Sequence, residues 1–208
     1  MNVLVMAKAP VAGRVKTRLC PPCTPTEAAE IAEAALADTL DAVSRCRADR
    51  RVIALEGAPG RWLPPGFVVV PQCAGPFDLR LTAAWATTGG GTVQIGMDTP
   101  QVTPALLDGA LATLDDHTAA LGPAADGGWW AIGLRRADAR AFAGIPMSTA
   151  RTGLDQLARL RALGHDVALL PTLVDLDRIA DLEAVSDGPR THAVATRLGL
   201  LPQPIGAR

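Results

Sequence analysis

Four cations fall within eleven residues near the start of the chain: Lys8, Arg14, Lys16 and Arg18, in the run Lys8-Ala-Pro-Val-Ala-Gly13-Arg14-Val-Lys16-Thr17-Arg18-Leu19. Oligophosphate concentrates negative charge on a few oxygens, and several cations on one loop answer that charge. Gly13 lets backbone approach a ligand closely. The spacing matches neither Gly-x-x-x-x-Gly-Lys-Ser/Thr nor Gly-x-Gly-x-x-Gly. Side-chain cations, with Lys16 also a catalytic candidate, would therefore hold the phosphates. The chain uses 18 Arg and only two Lys, and both lysines lie in this loop. An ammonium is a compact point charge, where guanidinium is a planar fork. The plainer alternative is a solvated basic loop; its place directly after the first apolar run favours phosphate.

Two acidic motifs follow. Gly96-Met97-Asp98-Thr99-Pro100 puts a carboxylate just past an apolar run. A hard cation such as Mg²⁺ (or Mn²⁺) takes carboxylate and phosphate oxygens together, and Asp98 suits that role. It could equally start a turn before Pro100. Gly122-Pro-Ala-Ala-Asp126-Gly127-Gly128 offers a second carboxylate among glycines. Asp126 is a candidate metal ligand, base or hydroxyl acceptor; the competing reading is a tight Asp-Gly turn. Asp175-Leu-Asp177 places two carboxylates on one side of an extended segment, as a further metal ligand or a helix cap. Gln72 and Arg80 flank a Gly-Pro turn and are candidate nucleotide contacts. Trp129-Trp130 is expected to split between core and pocket. The histidines, 117, 165 and 192, have no ligand spacing, and Cys20-Pro-Pro-Cys23 lacks the second ligand pair that zinc needs.

An α/β chain can hold these groups at one crevice. The pattern predicts strands over residues 2–6, 51–55, 67–70, 92–97, 118–121, 129–134 and 167–170. Helices are predicted over 26–46, 79–88, 104–114 with Thr103 as cap, and from Thr149 or Thr152 through 163, with two short ones over 179–185 and 190–198. Strands alternating with helices argue for an open, mostly parallel sheet, whose ligands sit beyond the carboxyl ends of the strands. The length of 208 residues suits one domain over 1–200 with a flexible tail at 201–208. A net charge of −1 gives no reason to expect nucleic acid or an acidic membrane as partner. The apolar run at 2–6 is cut short by Lys8 and Pro10, so no signal peptide is read and a cytoplasmic location is expected.

Taken together, the three motifs at 8–19, 96–100 and 122–128 resemble those of the transferase family found beside radical-SAM and selenium-linked genes. Those proteins are similar to GT-A glycosyltransferases and to the guanylyltransferases of deazaflavin-cofactor and molybdenum-cofactor synthesis. The resemblance runs from Val3 to about Val185. It implies a single-domain GT-A-like (nucleotide-diphospho-sugar transferase) α/β/α sandwich with a mostly parallel mixed sheet. It also implies that Lys8, Arg14, Lys16 and Arg18 bind nucleotide phosphates and that Asp98 holds the metal. Two stretches depart from the family pattern: Met147 stands where Trp is usual, and Gly75-Pro-Phe-Asp-Leu-Arg80 replaces Gly-Asp-Leu-Gly before the Arg.

The expected function is a metal-dependent nucleotide-utilising transferase. The favoured form is nucleotidyl transfer from a nucleoside triphosphate to an anionic small-molecule acceptor, with pyrophosphate released. The alternatives are glycosyl transfer from a nucleotide sugar, with Asp126 as base, and a non-catalytic nucleotide-binding module.

Overall fold

A computed structural model describes residues 1–202, so most of the tail expected at 201–208 lies outside the described residues. Seven strands form one sheet: β1 (Asn2–Lys8), β2 (Arg50–Glu56), β3 (Phe67–Pro71), β4 (Thr92–Ile95), β5 (Ala119–Pro123), β6 (Trp129–Leu134) and β7 (Val167–Leu169). Their order is β3-β2-β1-β4-β6-β5-β7. All neighbours pair parallel except β6, which runs antiparallel to both β4 and β5. The mostly parallel mixed sheet is thus as expected. The order reverses between β1 and β4, which opens a crevice at their carboxyl ends. Lys8 ends one of these strands, and Asp98 follows the other.

Five helices cover both faces: α1 (Pro25–Arg45), α2 (Phe77–Ala86), α3 (Pro104–Asp116), α4 (Thr152–Ala162) and α5 (Pro189–Arg197). Alternation along β1 divides the core. Val3, Val5 and Ala7 pack with α1 and α3, while Leu4 and Met6 pack with α2, Phe142 and Leu160. A third cluster joins distant parts of the chain. Leu19, behind the basic loop, and Leu176, between the two late aspartates, are fully buried together against Ile31, Ala35 and Ala195. Full burial of each leucine contributes about 1.5–3 kcal/mol. That packing draws residues separated by most of the chain to one place.

Several boundaries differ from the sequence expectation. α1 starts one residue early because Thr24 and Glu27 form a capping box, with Pro25 at the first helical position. α2 starts at Phe77, directly after Pro76. β4 stops at Ile95, and the chain leaves the sheet at Gly96. The helix expected over 179–185 is a single 3₁₀ turn, Ile179–Asp181. There the Asp181 carboxylate accepts from the backbone N–H of Asp177 and Arg178, capping the turn. Among the described residues no helix is long and apolar enough to cross a membrane.

Candidate active site

A cleft of about 590 Å³ opens at the carboxyl ends of β1 and β4. Every residue singled out from the basic loop and the acidic motifs lines it, except Gly13: Lys8, Arg14, Lys16, Arg18, Gln72, Arg80, Asp98, Asp126, Asp175 and Asp177. Gly13 is exposed at φ +76°, a left-handed conformation that glycine adopts without strain. Its part is to turn the loop, and it does not line the cleft.

The loop cations are not free. The Lys16 side chain is 6% exposed, and its ammonium lies 2.5 Å from Asp98 Oδ1 and 3.8 Å from Asp177 Oδ1. It also donates to the carbonyl of Leu176. Arg18 meets the other oxygen of Asp177 at 2.7 Å. Lys8 lies 3.4 Å from Glu56, which Arg80 also reaches at 2.5 Å. Burial raises the Glu56 pKa, but Lys8 and Arg80 outweigh it and hold the carboxyl below its ordinary range. Among the described residues only Arg14, of the four loop cations, has neither ion pair nor side-chain hydrogen bond.

Gln72 is a bracket rather than a bare contact. Its amide donates to the carbonyls of Ala7 and Ala54, at the ends of β1 and β2, and its oxygen accepts from Arg80. That fixes Arg80 on the cleft wall, with its guanidinium carbon 5.7 Å from the Phe77 ring centre. Glu56 was missed in the sequence. The signal was present: one acid closes the otherwise apolar run Val52-Ile-Ala-Leu-Glu56.

The acidic side is assembled by backbone pairing. Leu176 N–H donates to the Asp98 carbonyl, and Ala125 N–H donates to the Leu173 carbonyl. The extended 173–177 segment therefore joins both acidic motifs. Burial, then the charges of Asp98 and Asp126, raise the Asp175 pKa to about 7, against a lowering pull from Lys16. Among the described residues no three His, Cys, Asp or Glu side chains converge as a ready metal-ligand set. The donor chemistry still fits a hard divalent cation. These are carboxylate oxygens in mutual repulsion, and such a cation takes its remaining ligands from phosphate and water. Cys20 and Cys23 are free thiols. Burial, then Cys20, raises the Cys23 pKa, the opposite of an activated thiolate.

The far wall, beside Asp126, has no cation among its lining residues. Trp130 is buried and donates to the Pro171 carbonyl, while Trp129 is half-buried and lines the cleft with Met147, Ser148 and Thr149. This wall is locked to the Asp126 turn, because Gly153 N–H donates to the Gly127 carbonyl at 2.8 Å. A Cβ on Gly127 would lie 2.1 Å from the Ala150 carbonyl oxygen, and one on Gly153 would lie 2.4 Å from that of Gly128. Both glycines are required by this contact.

A family model described as an uncharacterized protein conserved in bacteria (DUF2064) matches residues 28–149, more than half of the chain. The chain belongs to the DUF2064 family. The matched stretch holds Gln72, Arg80, Asp98 and Asp126; the basic loop precedes it. No curated protein matches the sequence. Solved structures do match the fold. A proposed nucleotide-diphospho-sugar transferase from Desulfovibrio desulfuricans G20 superposes with a TM-score of 0.83 at 24% identity, covering 96% of this chain and 95% of that one. A CMP:2-keto-3-deoxy-manno-octonic acid synthetase complexed with CTP gives 0.55 at 12% identity, covering 96% and 98%. The 4-diphosphocytidyl-2C-methyl-D-erythritol synthase of Anaerococcus prevotii gives 0.52 at 10% identity, covering 82% and 86%. This DUF2064 chain therefore has the nucleotide-diphospho-sugar transferase fold.

Proposed function

We propose that the chain is a divalent-metal-dependent transferase that uses a nucleotide sugar as donor. The observation that carries this reading is the charge balance of one cleft. Lys8, Lys16, Arg18 and Arg80 each have a carboxylate partner, which leaves Arg14 as the unpaired cation of the basic loop. Four apparently free loop cations favoured a triphosphate; one unpaired cation plus a divalent ion answers a diphosphate better. The fold, shared with nucleotide-sugar and cytidylyl transferases, is consistent with either donor.

Asp98 would hold Mg²⁺ or Mn²⁺, with Asp126 and Asp175 as further carboxylates on the same side. When bound, that ion supplies positive charge to a departing diphosphate. Lys16, Arg14, Lys8 and Arg18 bind the phosphates, and Arg80 is held beside them by Gln72. Asp126 serves as base. The acceptor oxygen bonds to the anomeric carbon, the anomeric carbon–oxygen bond breaks with its electron pair leaving on the nucleoside diphosphate, and the acceptor proton passes to Asp126.

The test is product identity. The protein is incubated with Mg²⁺, a panel of nucleotide sugars and nucleoside triphosphates, and mixed hydroxyl and anionic acceptors. Release of nucleoside diphosphate supports the reading. Pyrophosphate release from a triphosphate would replace it with nucleotidyl transfer. Absence of turnover alongside nucleotide binding would point to a non-catalytic module.

A further inference from the structure

The charges that line the cleft divide along the sequence, with Lys16 and Arg18 reaching Asp98 and Asp177. Its lining cations, Lys8, Arg14, Lys16, Arg18 and Arg80, all precede residue 81. From Gly96 onward the charged lining residues are all carboxylates: Asp98, Asp126, Asp175 and Asp177. The sequence 146–153 contains one cation, Arg151; it is not among the cleft-lining residues, and its guanidinium lies 3.9 Å from Asp155. A phosphate or carboxylate on the acceptor would therefore meet carboxylates with no cation of its own wall to pair with.

The groups left over on that wall have a definite chemistry. Trp129 and Met147 pack partly against the core and still face the cleft. Among the described residues the Trp129 indole N–H has no hydrogen-bond partner, and neither has the Ser148 hydroxyl. Ser148 is exposed in a left-handed conformation at φ +60°. The Thr149–Thr152 hydroxyl contact, at 3.2 Å, and the Thr152 hydroxyl donating to the Pro146 carbonyl, at 2.8 Å, hold this bend in place. An indole face and a thioether suit an apolar ring face. A lone indole donor, a hydroxyl and the Asp126 carboxylate suit hydroxyl groups.

We infer that the wall formed by Trp129, Met147, Ser148 and Asp126 binds an uncharged, polyhydroxylated acceptor that lays an apolar face on the Trp129 indole. This rests on the transferase reading for its role, and it departs from the anionic acceptor that the sequence favoured. Met147 and Ser148 are then specificity residues, because a cation at either position would supply what the wall lacks.

Binding is measured by quenching of tryptophan fluorescence in the full chain with Mg²⁺, with and without nucleoside diphosphates. The probes are methyl glucoside, methyl galactoside and methyl mannoside, against glucose 6-phosphate and glucuronate. The neutral glycosides should bind at least about tenfold more tightly than the anionic sugars. Trp129→Leu should lose glycoside binding, read for this variant by titration calorimetry because the reporter is removed, while keeping the thermal shift produced by nucleotide. Met147→Lys or Ser148→Lys should move preference at least tenfold toward glucose 6-phosphate. Equal or tighter binding of the anionic sugars, or no quenching by any glycoside in a chain that binds nucleotide, overturns the inference. A chain that binds glycosides but shifts with no nucleotide keeps this site and loses the transferase reading instead.

Discussion

Asp175→Asn should make the metal-free protein more stable at pH 8, with the difference shrinking as pH falls and nearly gone only below about pH 4. The Asp175 pKa is raised from 3.8 to about 7, first by burial and then by Asp98 and Asp126. The folded state therefore holds this proton more tightly than the unfolded chain does. The stability that the proton contributes is fully present below about pH 4 and is lost as pH rises through about 7. At about 1.4 kcal/mol for each pKa unit, the rise from 3.8 to about 7 sets an upper bound of about 4 kcal/mol at pH 8. Asparagine has the shape of the protonated acid and cannot ionise, so the variant avoids that loss. In a chain of this size each kcal/mol moves the melting temperature by roughly 2–4 °C. Melting curves in chelator at pH 5, 6, 7 and 8 should show the variant pulling ahead of wild type as pH rises. Saturating Mg²⁺ should then stabilise wild type more than the variant, since a ligand that binds only the folded state adds stability by mass action. A difference that stays flat from pH 5 to pH 8, or a variant less stable at pH 8, would refute this account of the acidic side.

Three other perturbations probe other parts of the cleft. Arg14→Ala removes the loop cation that has no carboxylate partner, so it should weaken nucleotide binding by about tenfold or more with little change in melting temperature, read by nucleotide titration. Lys16→Met strips Asp98 of a countercharge 2.5 Å away; it should lower stability in chelator and enlarge the stabilisation by Mg²⁺, measured by thermal shift. Gly153→Ala forces a Cβ to within 2.4 Å of the Gly128 carbonyl oxygen. It should cost about 1–3 kcal/mol in denaturant unfolding and weaken acceptor binding more than nucleotide binding.

Much of the fold was legible because its signals are local. The apolar run before Lys8, the three glycines before Thr92 and the Thr103-Pro104 start each identify an element from adjacent residues. The single misread helix, at 179–185, failed where an acid three residues inside the segment capped the turn instead of extending the helix. The candidate site was legible as a set of residues but not as a set of pairs. Lys16 and Leu176 are bonded across 160 residues, and nothing near either one announces the other. Charge reads from sequence as if every cation were free, so Glu56 and Asp177 altered the meaning of the basic loop without altering its membership. The chemistry of the far wall was hidden for the same reason. Trp129 differs from Trp130 only by the side of the sheet that it faces.

The backbone seam between Gly127-Gly128 and Gly153 also limits how the acceptor wall can be exchanged. The wall is built from two stretches, 122–128 and 146–153, that are separate in sequence but meet with no room for a side chain between them. A loop transplanted from a related protein at one stretch alone would arrive with the wrong complementary surface. Recombination that alters acceptor choice must therefore carry both stretches as a single cassette.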